Sequence, residues 1–227
     1  MQLRVVTYNV RGFRDGLDRV ARVVSHFEPD VVLLNETGGR LALRRFARAV
    51  GMELAADPWS PFRRRAKDAV LAHPPWHIES SRQLRLPTAS RLYPRGALVA
   101  ELRRAGARIH AISTHLSLHP GERRRHAEEL VALVRGLHTP AIIGGDLNEE
   151  PDGKAVSLLG ARLGDAWLLG GDADAPTFPA AEPTARIDYL FVTGGIRVER
   201  ALVPGGPDAS AASDHRPVVA LLTLSEA

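Results

Sequence analysis

The sequence predicts an α/β layered fold with mixed sheets, and three observations point to it. Segments that read as strands outnumber those that read as helices. Helix-period stretches separate some strands while short turns join others, so strand–helix–strand units and hairpins coexist. A length of 227 residues, with 44% hydrophobic and 25% charged residues, suits a single domain over 1–227 with an ordinary globular core.

The elements follow in order. Residues 2–10, "QLRVVTYNV", read as a strand. Over 16–28, Leu17, Val20, Val24 and Phe27 recur at three- and four-residue spacing and predict a helix, which Pro29 and Asp30 end. "VVLL" at 31–34 reads as a buried strand, and a second helix is predicted over 39–50 with Arg44, Arg45 and Arg48 on its polar side. Residues 57–66, rich in proline, arginine and aromatics, read as a loop. Strands are predicted at 67–73, 76–86, 96–103 and 106–113, with Gly106 marking a hairpin turn. The clearest helix covers 121–137, with Ala127, Leu130, Val134 and Leu137 as its apolar stripe. "AIIGG" at 141–145 is a core strand whose glycines let the backbone turn tightly. A Gly/Asp/Pro-rich stretch runs from 164 to 185. Strands close the chain at 187–193, 196–203 and 217–224, the last two joined by the loop "PGGPDASAASDH".

Composition narrows the chemistry. The chain has no cysteine, which excludes disulfides, thiolate metal sites and cysteine nucleophiles. A metal must therefore be held by Asp, Glu, Asn or His. No apolar run is long enough for a transmembrane helix, and the start "MQLRVVTYNV" is unlike a signal peptide, so a cytoplasmic chain without stable membrane association is expected. The net charge is +4, and Lys67 and Lys154 are the only lysines among 30 basic residues. Arginine suits phosphate through its planar fork, which hints at an anionic substrate. Codon usage or solvated faces explain the arginines equally well.

Polar residues at strand ends say more. Asn9 follows "LRVVTY", Glu36 follows "VVLL", His115 follows "IHAIST", Asp146 and Asn148 follow "AIIGG", and Asp214-His215 precedes "RPVVALL". Asp188 sits inside "RIDYLFV", where strands disfavour aspartate. Buried carboxylates need a cation or hydrogen-bond partner. Each residue has a plainer explanation: Asn9 as a cap for the turn before Gly12, Glu36 beside a helix start, His115 as a satisfied histidine, Asp214 as a turn residue. Those explanations would all have to hold together, and there they fail.

Six motifs in order carry a resemblance: "TYNVRG" (7–12), "LLNE" (33–36), "STHL" (113–116), "GGDLNEEP" (144–151), "RIDYLFV" (186–192) and "SDHRPV" (213–218). Together they make the chain similar to the endonuclease/exonuclease/phosphatase superfamily, the DNase I-like metal-dependent phosphoesterases. "PRGALVAEL" and "PTFPAAEPTARIDY" add lesser matches. Asn35 departs from the glutamine that the family commonly has before its metal-binding glutamate.

The resemblance implies a four-layered α/β sandwich, two mixed β-sheets packed face to face and flanked by helices. It implies Glu36 as principal metal ligand, with Asn9 and Asp214 as direct or water-mediated ligands. Hard oxygen donors suit Mg²⁺, with Mn²⁺ as a substitute. The implied reaction is hydrolysis of a phosphoester by in-line attack of water. Asp188 would orient His215, which serves as general base or phosphate-stabilising cation. Asp146 would orient or deprotonate the water, Asn148 would position the phosphate or nucleophile, and His115 would donate to a non-bridging oxygen or assist the leaving group. Leu147 is expected to pack, and Glu149 and Glu150 to be loop surface. The expected partner is an anionic phosphoester, first of all nucleic acid, with Trp59, Phe62 and Tyr93 available for stacking. A phosphatase or phosphodiesterase for a small-molecule or lipid head-group ester is the alternative. A catalytically inactive binding module fits poorly with retention of every motif.

Overall fold

Alternation along the first strand sets the architecture. In β1 (Gln2–Asn9), Leu3 and Val5 enter one apolar cluster while Val6 and Tyr8 enter another. A strand buried on both faces needs a layer on each side. The computed structural model describes residues 1–58, 64–90, 92–172 and 175–225. After β1 come α1 (Leu17–His26), β2 (Val31–Asn35), α2 (Arg40–Ala49), β3 (Glu53–Ala56) and β4 (Ala69–Ala72). The middle of the chain forms β5 (His77–Leu86), β6 (Arg95–Arg104), β7 (Ala107–His115), α3 (Pro120–Arg135) and β8 (Ala141–Asp146). The remainder forms α4 (Lys154–Gly160), β9 (Gly164–Asp165), α5 (Ala166–Gly170), β10 (Asp188–Val192), β11 (Ile196–Leu202), α6 (Pro207–Ala212) and β12 (Val218–Leu224).

The strands make two six-stranded sheets, ordered β11-β12-β1-β2-β4-β3 and β5-β6-β7-β8-β10-β9. Each sheet is mixed, with one parallel pair: β1 with β2 across α1, and β7 with β8 across α3. Leu33, Leu98, Ile142, Leu190 and Leu222 fill the space between the sheets. Val24 of α1 and Phe46 of α2 cover the outer face of the first sheet, and Ala127 and Leu130 of α3 cover that of the second. The result is the four-layered α/β sandwich, helix–sheet–sheet–helix. A fully buried leucine or phenylalanine side chain is stabilised by roughly 1.5–3 kcal/mol relative to exposure, so the three apolar layers hold the sandwich shut.

The elements differ from expectation in several places, α4 among them. Glu53–Ala56 is a short edge strand pairing with β4, although "ELAA" has no strand-like alternation. The stretch 164–185 contains β9, α5 and an isolated bridge between Phe178 and Ala185. The 204–215 loop contains α6, with Pro207 in its first turn. The backbone does not turn at Gly144 and Gly145, since β8 runs through both to Asp146. Close approach is what requires glycine there. A Cβ on Gly144 would lie 2.7 Å from both Leu190 and Leu33, and one on Gly145 would collide with the Thr114 carbonyl oxygen. Among the described residues, no helix is long and apolar enough to cross a membrane.

Candidate active site

The site is the polar end of the inter-sheet core. On each strand, one side-chain face points between the sheets, and the same period of two that buries leucines further down carries polar groups at the end. On β1, Leu3 and Val5 lead to Thr7 and Asn9; on β2, Val31 and Leu33 lead to Asn35. On β8, Ile142 and Gly144 lead to Asp146, and on β10, Val192 and Leu190 lead back to Asp188. Parallel register sets Asn9 beside Asn35 in one sheet, and antiparallel register sets Asp146 opposite Asp188 in the other. The two rows meet: Asn9 Nδ2 donates to Asp146 Oδ2 at 3.0 Å.

Asp188 and His215 form the tightest pair. His215 Nδ1 lies 2.8 Å from Asp188 Oδ2, and its Nε2 faces Asp146 Oδ2 at 3.7 Å. Burial opposes the imidazolium, but the charge and hydrogen bond of Asp188, with the charges of Asp146 and Asp214, raise the His215 pKa to about 9. Burial, and then the neighbouring Asp188 carboxylate, push the Asp146 pKa well up. The arrangement thus holds a cation beside a carboxylate of enhanced basicity.

His115 has the opposite character. Arg95 NH1 donates to its Nδ1 at 3.0 Å, while its Nε2 lies 2.9 Å from the Asn148 amide and 3.3 Å from Asp146 Oδ2. Burial, then the cations Arg95 and His215, hold its pKa well below the ordinary histidine value. Donors face both ring nitrogens, the Arg95 guanidinium at Nδ1 and the Asn148 NH₂ at Nε2, and this further disfavours the imidazolium. Asn148 adopts a left-handed backbone with φ 51°, a conformation asparagine tolerates. Its N–H donates to Asp146 Oδ1 at 2.8 Å and its Nδ2 to the Leu116 carbonyl at 3.1 Å, which aims the side chain into the site.

Of the remaining site residues, Asn9 is buried and Glu36 and Asp214 are half-buried. Asn9 also caps the following turn, its Oδ1 accepting from Arg11 N–H at 3.1 Å. Glu36 leaves β2 with φ 51°, a strained backbone for glutamate that lifts it out of the strand alternation. Its side chain has no hydrogen-bond or ion-pair partner among the described residues. Asp214 Oδ2 pairs with Arg11 Nε at 3.1 Å, and Ser213 Oγ ties this turn to the Asn9 carbonyl at 2.7 Å. Asp146, Asp188 and His215 offer ligand atoms within 4.8 Å of one another, so this buried group could hold a metal. Tyr93 is 70% exposed, two residues before Arg95. Trp59 and Phe62 lie outside the described residues.

Three site residues escaped sequence reasoning. Arg95 is the first residue of β6, with its neighbour Gly96 in register with His115. Asn35 and Asp68 are 0% exposed. Their signal was the same alternation, in "VVLLN" and "KDAVLA", where a polar residue takes the next inward position. Glu149 corrects an expectation. It is not loop surface, for its Oε1 accepts from Arg123 Nε at 2.9 Å and its Oε2 from Ala155 N–H at 2.6 Å. It thereby caps α4, whose own N-cap is Gly153 without a side-chain acceptor. Glu150 is exposed and Leu147 is buried in the second sheet's outer core, both as expected.

Comparison with known proteins agrees with this geometry. The chain resembles an endonuclease/exonuclease/phosphatase from Bacteroides vulgatus, with 19% identity, a TM-score of 0.86, and 99% of this chain and 100% of that one covered. The mannosyl-6-phosphatase Bt3783 of Bacteroides thetaiotaomicron is similar at 20% identity and TM-score 0.82, covering 98% of this chain and 100% of that one. So is D. rerio TDP2 complexed with single strand DNA product, at 18% identity and TM-score 0.80, covering 98% and 99%. No curated protein sequence matches the chain. At these identities the solved structures establish the fold. The model of the Endonuclease/Exonuclease/phosphatase family matches residues 6–215, and the chain therefore belongs to this family of phosphoesterases.

Proposed function

We infer that the protein is a metal-dependent phosphoester hydrolase, and that its substrate is a phosphodiester of nucleic acid. The observation that carries the hydrolase reading is the meeting of Asp146 with the Asp188–His215 pair, 3.7 Å apart at the polar end of the core. The donor set fits Mg²⁺: a Glu36 carboxylate without a partner among the described residues, further oxygens on Asn9 and Asp214, and no thiol anywhere in the chain. Glu36, with Asn9 and Asp214 directly or through water, would hold the ion, and Mn²⁺ could replace it. Bound there, it supplies charge neutralisation at the phosphate.

The protein's own groups divide the remaining work. Asp146, its basicity raised by burial, orients the attacking water and takes its proton. His215, kept cationic by Asp188, faces the charge that builds on the phosphoryl oxygens. The neutral His115 ring and the Asn148 amide stand together as uncharged groups to donate to a non-bridging oxygen. Arginine-rich surface and the exposed Tyr93 ring favour a nucleic-acid strand over a small ester. The single-stranded DNA product held by the similar TDP2 structure agrees with this choice.

A substrate panel with Mg²⁺ tests both parts. Cleavage of single-stranded, abasic or plasmid DNA, or RNA, abolished by EDTA and by Asp146→Asn, is the expected result. If all nucleic acids survive while bis-p-nitrophenyl phosphate is hydrolysed, the protein is a small-phosphoester hydrolase instead. Hydrolysis that persists unchanged in Asp146→Asn would overturn the site.

A further inference from the structure

Asn35 and Asp68 have no part in the reaction just described, yet both lie fully buried on the floor of the site. Register pairs Leu34 of β2 with Ala69 of β4, so Asp68 stands opposite Asn35 one step further along. The Asn35 amide is used at both ends. Its Oδ1 accepts the Asp146 backbone N–H at 3.0 Å, reaching from the first sheet to the second. Its Nδ2 donates to Asp68 Oδ1 at 3.0 Å and to the Thr114 carbonyl at 2.9 Å.

An amide side chain has two nearly isosteric orientations, and only one of them works here. Turned over, Asn35 would set its NH₂ against the Asp146 N–H and its oxygen against two acceptors. Asp68 and Thr114 therefore fix the amide, and the amide fixes the backbone that carries the Asp146 carboxylate. The residue after Asn35 is Glu36, so one side chain joins the two arms of the site. A buried carboxylate is costly, and Asp68 Oδ2 finds no partner among the described residues. Asp68 is thus poorly explained by packing and well explained by orientation.

We propose that Asn35 is a positioning residue that sets Asp146 against Glu36 across the two sheets, and that Asp68 holds the Asn35 amide in the orientation this requires. The assignment rests on the hydrolase reading.

The test exchanges donor and acceptor between near-isosteric side chains. Asn35→Asp keeps an acceptor for the Asp146 N–H but sets an oxygen against both acceptors of the lost NH₂, Asp68 Oδ1 and the Thr114 carbonyl. It should lower kcat on bis-p-nitrophenyl phosphate with Mg²⁺ by about 10- to 100-fold with little change in KM. Adding Asp68→Asn restores a donor at one of the two contacts, the Thr114 carbonyl still facing oxygen, so the double variant should recover part of that loss, by about threefold or more. Hydrogen exchange at the Asp146 amide, read without metal or substrate, should quicken in Asn35→Asp and slow again in the double variant. Unchanged kcat in folded Asn35→Asp, absence of rescue, or unchanged amide exchange would overturn the proposal. A wild-type protein that hydrolyses no phosphoester overturns the hydrolase reading itself. The amide exchange series then still reports whether the geometry holds.

Discussion

His115 and His215 lie at the same end of one core, 3% and 6% exposed, and yet differ in charge. Burial lowers the pKa of both. The neighbour decides the outcome: a guanidinium on His115 Nδ1 leaves that ring neutral, and a carboxylate on His215 Nδ1 makes it cationic. Two identical side chains thereby become a neutral ring and a cation, because Nδ1 of each is committed to a different partner.

Breaking the pair that creates the cation should have the largest effect. Asp188→Ala is expected to lower kcat on the order of 10³-fold or more, by analogy with the cost of losing an orienting aspartate in other histidine pairs. The His215→Ala and His115→Ala variants should separate next, at roughly 10³-fold and 10²-fold losses of kcat, within the usual range for proton-handling groups. Equal losses would show that the charge difference has no catalytic meaning.

The contrast also predicts stability. His215 has a folded pKa of about 9 against 6.5 for the ordinary group. A raised pKa means that the folded state holds the proton more tightly. The gain is therefore complete below pH 6.5 and disappears as pH rises through 9. In EDTA, denaturant unfolding should show wild type losing roughly 3 kcal/mol more than His215→Gln across that window. A parallel pH dependence in the two proteins would contradict the cationic assignment. A smaller effect concerns the other ring. Arg95→Met removes one of the charges that hold His115 neutral, and NMR titration should show the His115 pKa moving up. The smallest effect compares the adjacent carboxylates. Glu149→Ala should cost about 1–2 kcal/mol through its lost cap, against less than about 0.5 for Glu150→Ala.

Much of this was legible in the sequence because strands keep count. Asn9, His115, Asp146 and Asp188 stood out as polar residues continuing or interrupting apolar alternation, and the structure places them together. Asn35 and Asp68 continue the same alternation but did not stand out, and Arg95 at the start of β6 has no such signal; what all three do depends on partners on other strands. Glu149 misled for a similar reason. An acidic run before proline resembles a turn, and only the fold brings the Ala155 N–H and Arg123 to one of its two glutamates. Among the elements, β3 and α6 were missed because four and six residues of small or mixed side chains give no periodicity to detect.

The two polar rows belong to different sheets, joined across the gap by Asn9 and Asn35. The site consequently measures how the sheets are seated on one another. Leucines many residues away can change turnover without touching substrate, simply by letting one sheet slide. Displacements near 1 Å can cost about 100-fold in rate. Gentle heating or pressure should then silence the protein while its secondary structure is still intact.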